Sequence, residues 1–290
     1  MSQAPTLVLT STPRGLARKL VADPRSATGV VLVGLALVMA LAAPLIATHD
    51  PNIPDFIATL SPPSAEHLFG TDDLGRDTFS RVIYGARASI LVGVLSVAAA
   101  FILGTATGLV AGFFGGWIDA LMMRVMDVIF AFPSILLALA ITAVLGPSLT
   151  NAVLAIAVVN LPVFARIARA QTLIVARLDF VEASRALGAG TARILFRTIL
   201  PNIMTPVIVQ GSLLFASAII TEAYLSFLGL GVQPPTPTWG NMLRNAIGFL
   251  DLAPWLACFP GLAIFLIVLG FNLLGDGLRD KLDPRDAGPT

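Results

Sequence analysis

Six stretches of this sequence, at about 27–47, 88–114, 120–145, 149–165, 203–228 and 254–274, are long and apolar enough to cross a bilayer as helices. A hydrocarbon core about 30 Å thick requires roughly 20 mostly apolar residues in helical form. Lipid cannot satisfy open backbone donors, and the runs lack the strict alternation of a barrel strand, so helices are the only solution they allow. With 56% hydrophobic and 12% charged residues, the chain lies outside the composition of soluble domains. The fold class is therefore an all-α integral membrane protein with six transmembrane helices. The first run follows Arg14, Arg18, Lys19 and Arg25, yet it is longer than a signal-peptide core and no cleavage pattern succeeds it, so it reads as a retained span.

Orientation follows from the basic residues. Thirteen Lys and Arg fall in the N-terminal tail, the 115–117 link, the 166–201 loop and the C-terminal tail, against four in the alternate connections. Both termini are expected in the cytoplasm. The expected divisions are a tail at 1–26, a six-span domain at 27–275 and a tail at 276–290, with outer loops at about 48–87 and 229–253. A net charge of +1 argues against a nucleic-acid partner. The single cysteine, Cys258, excludes an intrachain disulfide and a cysteine metal cluster.

The 166–201 loop carries six arginines between two apolar runs. Gly188 divides it into two helix-compatible stretches, 178–187 and 192–198, because glycine disfavours helix interiors and accepts left-handed dihedrals. The spacing predicts a helix-turn-helix finger, with Pro201 near the start of the next span, where a missing donor does little harm. Read without further context, such a loop could be basic simply because it faces the cytoplasm.

Its residues, however, resemble the coupling loop of bacterial ATP-binding-cassette importer permeases. Glu182, Ala183, Gly188, Leu200 and Pro201 stand at the spacing of that pattern; Ser184 replaces a second alanine, and Thr198 stands at the isoleucine position with Ile199 beside it. The resemblance implies a type I importer permease fold whose finger inserts into a groove on a separate ATPase subunit, with Ala183 permitting close approach and Glu182 reaching a donor on the partner.

A second resemblance, from about His67 to Arg285, is to the permeases of dipeptide and oligopeptide importers, and within them to the C-type member of the pair. It rests on the run Phe69 to Asp77, on Glu222 to Gly231 with Pro234, Pro235, Thr238, Trp239 and Gly240, on Leu274 to Asp280, and on Leu282 to Arg285. It implies a bacterial inner-membrane subunit partnered by a second permease, two ATPase subunits, an extracytoplasmic peptide-binding protein and lipid. ATP and Mg would be bound by the ATPases, since no Gly-x4-Gly-Lys-Ser/Thr occurs and neither Lys19 nor Lys281 follows a glycine. No cofactor, catalytic residue or resident metal is expected in this chain. Peptide is the expected cargo, with nickel complexes or glutathione as alternatives on the same machinery.

Polar residues within the spans are candidates by default, because isolated charges there are costly. Arg124 and Asp127, three residues apart, share a helix face and are expected to pair. Glu222, 19 residues after Ile203, lies roughly 28 Å along its helix, near the outer interface. There it either anchors the structure or recognises a peptide ammonium group at the pore mouth. Gly104, Gly108 and Gly112 recur every four residues, a ridge for close helix packing. Asp72, Asp73 and Asp77 lack the ligand spacing of a calcium loop and read as a solvated turn at a subunit contact, and His49 and His67, eighteen residues apart, suggest no metal cluster. The 229–253 loop, rich in proline, reads as a stiff excursion at the outer mouth that could meet a solute-binding protein.

Two other classes predict other features. An ion-coupled secondary carrier calls for an internal repeat, broken helices or a charged site at mid-membrane, and a membrane enzyme calls for convergent acid, base and nucleophile. The sequence offers none of these patterns, and neither class accounts for the finger.

Overall fold

In a computed structural model, residues 22–282 are described and form helices joined by turns. Arg14, Arg18 and Lys19 of the basic tail, and the Asp283 to Arg285 segment of the resemblance, lie outside the described residues. Five helices are each long and apolar enough to span: α1 (Pro24–Leu41), α3 (Thr78–Phe114), α6 (Leu149–Val175), α9 (Leu200–Phe227) and α11 (Trp255–Leu282). A one-turn α2 (Ala43–Ile46) follows α1. The sixth span is a bent pair, α4 (Gly116–Phe130) and α5 (Ser134–Leu145), whose axes meet at 89°.

That bend corrects the single continuous helix expected at 120–145. Pro133 has no N–H to donate, and its ring drives the preceding residue out of the helical region. The chain accordingly leaves helix at Phe132, and Pro133 itself is extended with ψ 127° before α5 begins. A broken helix, one of the features an ion-coupled carrier calls for and the sequence did not show, is therefore present, and its absence no longer separates that class from this chain.

Other boundaries move as well. The fourth span does not stop at Ala165 but runs to Val175, so Arg166 and Arg169 belong to α6 and the segment between spans narrows to 176–199. The second span begins at Thr78, ten residues before the apolar run, because Asp77 caps it by accepting from Ser80 N–H. At the other end of the bundle Asp23 caps α1 by accepting from Ser26 N–H, and that bond together with the Ser26 hydroxyl holds its carboxyl below the usual range.

The helices assemble around α3 and α6, the most extensive contact in the bundle, with α9 laid across both and α11 joining α9 to α1. The expected glycine ridge makes that central contact. A Cβ on Gly104 would stand 2.7 Å from Leu161 O, one on Gly108 would run into Ala165 O, and one on Gly112 would stand 2.8 Å from Thr172 Cβ. Backbone therefore lies directly on backbone, which in lipid replaces the hydrophobic drive that water would supply. A second seam was not singled out in the sequence: a Cβ on Gly29 of α1 would stand 2.7 Å from Leu274 N, and one on Gly270 of α11 2.9 Å from Leu32 Cβ. Gly108→Leu is expected to lower the thermal midpoint of the purified protein by overpacking the α3–α6 seam, a cost of about 1–3 kcal/mol or more. Gly34→Leu, at a position with nothing within 4 Å of a Cβ, should leave the midpoint unchanged.

Candidate functional site

The finger follows α6. Leu178 precedes α7 (Asp179–Ala186), and Gly188, at φ +75°, turns the chain towards the single turn α8 (Thr191–Arg193). Gly188 N–H donates to Arg185 O at 2.9 Å and Ala189 N–H to Ser184 O at 3.1 Å, the paired bonds that close a helix on a left-handed residue. Nothing lies within 4 Å of a Cβ placed on Gly188, so glycine is required there by its dihedral and not by crowding.

A π-helical stretch, Ile194–Ile199, then leads without a break into α9. Pro201 cannot give a hydrogen bond to a carbonyl four or five residues back, and the wide turn lies where that bond is missing. Val181, Ile194, Leu195 and Ile199 are buried and continuous with the core that includes Val175 and Ile203. Arg185 lies over the Phe113 ring, 5.3 Å from its centroid, tying the finger to the end of α3. The tip is open: Glu182 and Ala183 are exposed, as are Phe180, Leu187 and Phe196, with Leu187 88% exposed. Ser184 is half-buried and turns its hydroxyl back onto Phe180 O at 2.8 Å, while Leu200 and Pro201 open α9. The structure thus brings Glu182, Ala183, Ser184 and Gly188 together at the tip and leaves Leu200 and Pro201 at its root.

The basic residues divide by role. Arg169 grips Asp119 of α4 with two bonds, Nη2 to Oδ2 at 2.6 Å and Nε to Oδ1, and Arg166 Nη2 donates to Asp127 Oδ1 at 2.8 Å with its guanidinium over Phe130. Asp127 therefore pairs across 39 residues with Arg166 and not with Arg124, which is exposed and forms no ion pair among the described residues. The expected pair fails because Arg124 and Asp127, on one helix, compete with an arginine brought alongside by α6. No spacing rule within a single helix could have found Asp119, Arg166 or Arg169.

At the opposite end a buried cap closes over α3. Of the acids expected in a solvated turn, Asp72 and Asp77 are internal and Asp73 is half-buried: Asp72 accepts from Arg76 Nε at 2.8 Å and from the N–H groups of Leu74 and Arg76, and Arg81 Nη1 donates to Pro51 O at 2.7 Å. Asp72, Arg76, Asp77 and Arg81 are all buried, because the chain folds back until Gly75 touches Asp55 O. The proline-rich loop contains a helix, α10 (Trp239–Ala246), capped by Thr238, and Trp239 is buried with its indole N–H on Val82 O at 2.9 Å. Phe69 stacks on Phe259 at 3.8 Å between centroids. Glu222 lies beneath this cap with no exposed surface, accepting from Ser226 Oγ at 2.7 Å beside Ser89. A group so enclosed cannot meet a passing substrate in this conformation, so the geometry is that of an anchor.

Beside the cap is an open cleft of about 390 Å³, which the sequence reading did not single out; Asp50, Tyr84, Arg87 and Pro237 are among its walls, with Leu91 and Leu149. Acid and base of opposite sign stand at one mouth there.

Residues 104–286 match the family described as binding-protein-dependent transport system inner membrane component. The chain belongs to that family. A dipeptide transport system permease protein of Alkalihalophilus pseudofirmus is 49% identical over 257 residues, covering 89% of this chain and 84% of that protein. A di/tripeptide permease of Pseudomonas aeruginosa is 50% identical over 265 residues, with 89% and 87% covered. A glutathione transport system permease of Escherichia coli is 48% identical over 262 residues, with 90% and 86% covered. The solved structure of the MetNI methionine ABC transporter, in inward-facing conformations, shares the fold: TM-score 0.58 at 16% identity, over 70% of this chain and 96% of that one. The chain is thus a membrane-embedded importer permease with the fold that the finger motif implied.

The α4–α6 clamp gives a direct test. A double-mutant cycle of Asp119→Asn and Arg169→Met should return a coupling of about 1 kcal/mol or more in unfolding free energy. Arg124→Met should couple to Asp127→Asn by nothing measurable.

Proposed function

We propose that this chain is one of two membrane-spanning subunits of an ATP-driven importer and forms half of the pathway for di- or oligopeptides. The observation that carries the reading is the finger: an apolar-rooted pair of helices between α6 and α9, whose tip presents Glu182, Ala183 and exposed Phe180, Leu187 and Phe196 with no partner among the described residues. A small residue flanked by exposed apolar groups suits insertion into a groove on an ATPase subunit. Closure of two such ATPases would move α6 and α9 as rigid bodies, and Arg166 and Arg169 would carry the bent α4 with them. The chain carries no phosphate-binding lysine loop, so the energy would come from those partners, with a second permease completing the pathway and an extracytoplasmic binding protein delivering cargo. Positive charge at the finger end supports cytoplasmic termini.

For the cargo, the names of the two peptide-permease relatives and the cleft agree. Asp50 and Arg87 offer one group each for the ammonium and carboxylate of a zwitterionic peptide. Glutathione, itself a tripeptide, is the second reading, favoured by the 48%-identical relative. Arg87→Ala should lower kcat/KM for peptide uptake about tenfold, the loss of one charge-assisted bond, with basal ATP hydrolysis unaltered. Unchanged uptake would take the cleft off the route.

The coupling itself is tested in proteoliposomes holding the full complex. Gly188→Pro removes the Gly188 N–H bond and forbids φ +75°. Assembly should persist while ATP-driven uptake of labelled peptide falls more than about tenfold. Native uptake by the variant would show that the finger does not transmit closure.

A further inference from the structure

We propose that His49, His67 and Asp77 form a divalent metal site of the zinc type that staples the cap to the start of α3. The chain has two histidines, and both converge on one carboxylate. His67 Nδ1 is 3.1 Å and His49 Nδ1 3.9 Å from the same Asp77 Oδ1, and ligand atoms of all three residues lie within 4.8 Å of one another. Zinc held at about 2.0–2.1 Å by imidazole nitrogen and carboxylate oxygen, in tetrahedral array, sets its ligands roughly 3.3–3.5 Å apart. The observed spacings bracket that value.

Four features favour a site over a chance meeting. The Asp77 side chain is fully buried, and among the described residues no lysine or arginine comes within 4 Å of it; the nearby Arg76 and Arg81 turn to Asp72 instead. Its other oxygen, Oδ2, is held by Ser80 N–H at 2.8 Å, by Ser80 Oγ and by Thr48 Oγ1, which orients Oδ1 towards the imidazoles as outer-shell partners orient a metal carboxylate. His49 N–H donates to Ser80 Oγ at 3.0 Å, fixing the first histidine beside the second, with ring centroids 4.8 Å apart. The His49 side chain is 39% exposed while that of His67 is nearly enclosed, so ions have an entry path and a water a fourth position.

Two imidazoles and a carboxylate suit zinc, and also copper or nickel, better than calcium or magnesium. The three ligands come from the exit of α2, the middle of the cap and the N-cap of α3, segments already joined there by the hydrogen bonds of Thr48, His49 and His67 to Asp77 and Ser80. Bound metal would therefore cross-link the cap. The inference does not depend on the cargo being peptide.

The experiment uses the full-length chain with its partner subunits in nanodiscs, stripped with chelator and dialysed against micromolar zinc, with metal counted by mass spectrometry. Native protein should hold one zinc per copy of this chain, and zinc should raise its melting temperature. His49→Gln and His67→Gln should each weaken binding by at least about tenfold and abolish the shift. His49 is partly exposed, so His49→Gln should assemble normally and decides the matter alone if His67→Gln does not fold. No zinc on the native protein, or equal zinc on native and His49→Gln, overturns the site and leaves His67 and Asp77 as a hydrogen-bonded cap.

Discussion

Everything in this bundle depends on how closely α3 can lie on α6. Without water to drive helices together, the contact must come from packing itself, and Gly104, Gly108 and Gly112 let the two backbones touch along three turns. That seam has consequences at both ends. At one, α6 continues past the apolar run and becomes the root of the finger; at the other, α3 begins in the buried cap. A movement imposed on the finger would reach α6 directly and, through this seam, α3.

The charged groups serve this frame and are not scattered by topology alone. Arg166 and Arg169 sit one turn apart on α6 and hold Asp127 and Asp119 of α4, so the half of the broken span nearest the finger is clamped to the same helix that carries it. Beyond the Pro133 bend, α5 still lies along α6. At the cap, Asp72 gathers Arg76 and Arg81, and Trp239 bridges α10 to α3 through a single indole bond. Both ends are tied by long-range polar contacts, while the middle is held by small residues and apolar side chains.

Much of this was legible in the sequence because lipid imposes strong rules. Length and hydropathy located the spans, the four-residue glycine repeat named the central seam, and Gly188 marked the finger's turn because glycine rests most easily at a positive φ. What the sequence hid were effects that need two distant segments. A helix face can suggest Arg124 for Asp127, but only α6 can bring Arg166 across 39 residues. Acids in a polar loop look solvated until Gly75 is seen against Asp55 O, and His49 and His67 look unrelated until α3 starts between them and offers Asp77. The Pro133 bend was readable in principle, since a proline thirteen residues into an apolar run is a standing candidate for a break.

The finger is proposed as the place where chemical energy enters this subunit. Ala183→Cys at its exposed tip, in a chain whose native Cys258 has been replaced by alanine, places one thiol there for short cross-linkers in the assembled complex. If energy enters through the finger, this thiol should cross-link to the ATPase subunit with a yield that changes when ATP replaces the nucleotide-free state. A thiol that never reaches the ATPase, or reaches it equally in every nucleotide state, would contradict it.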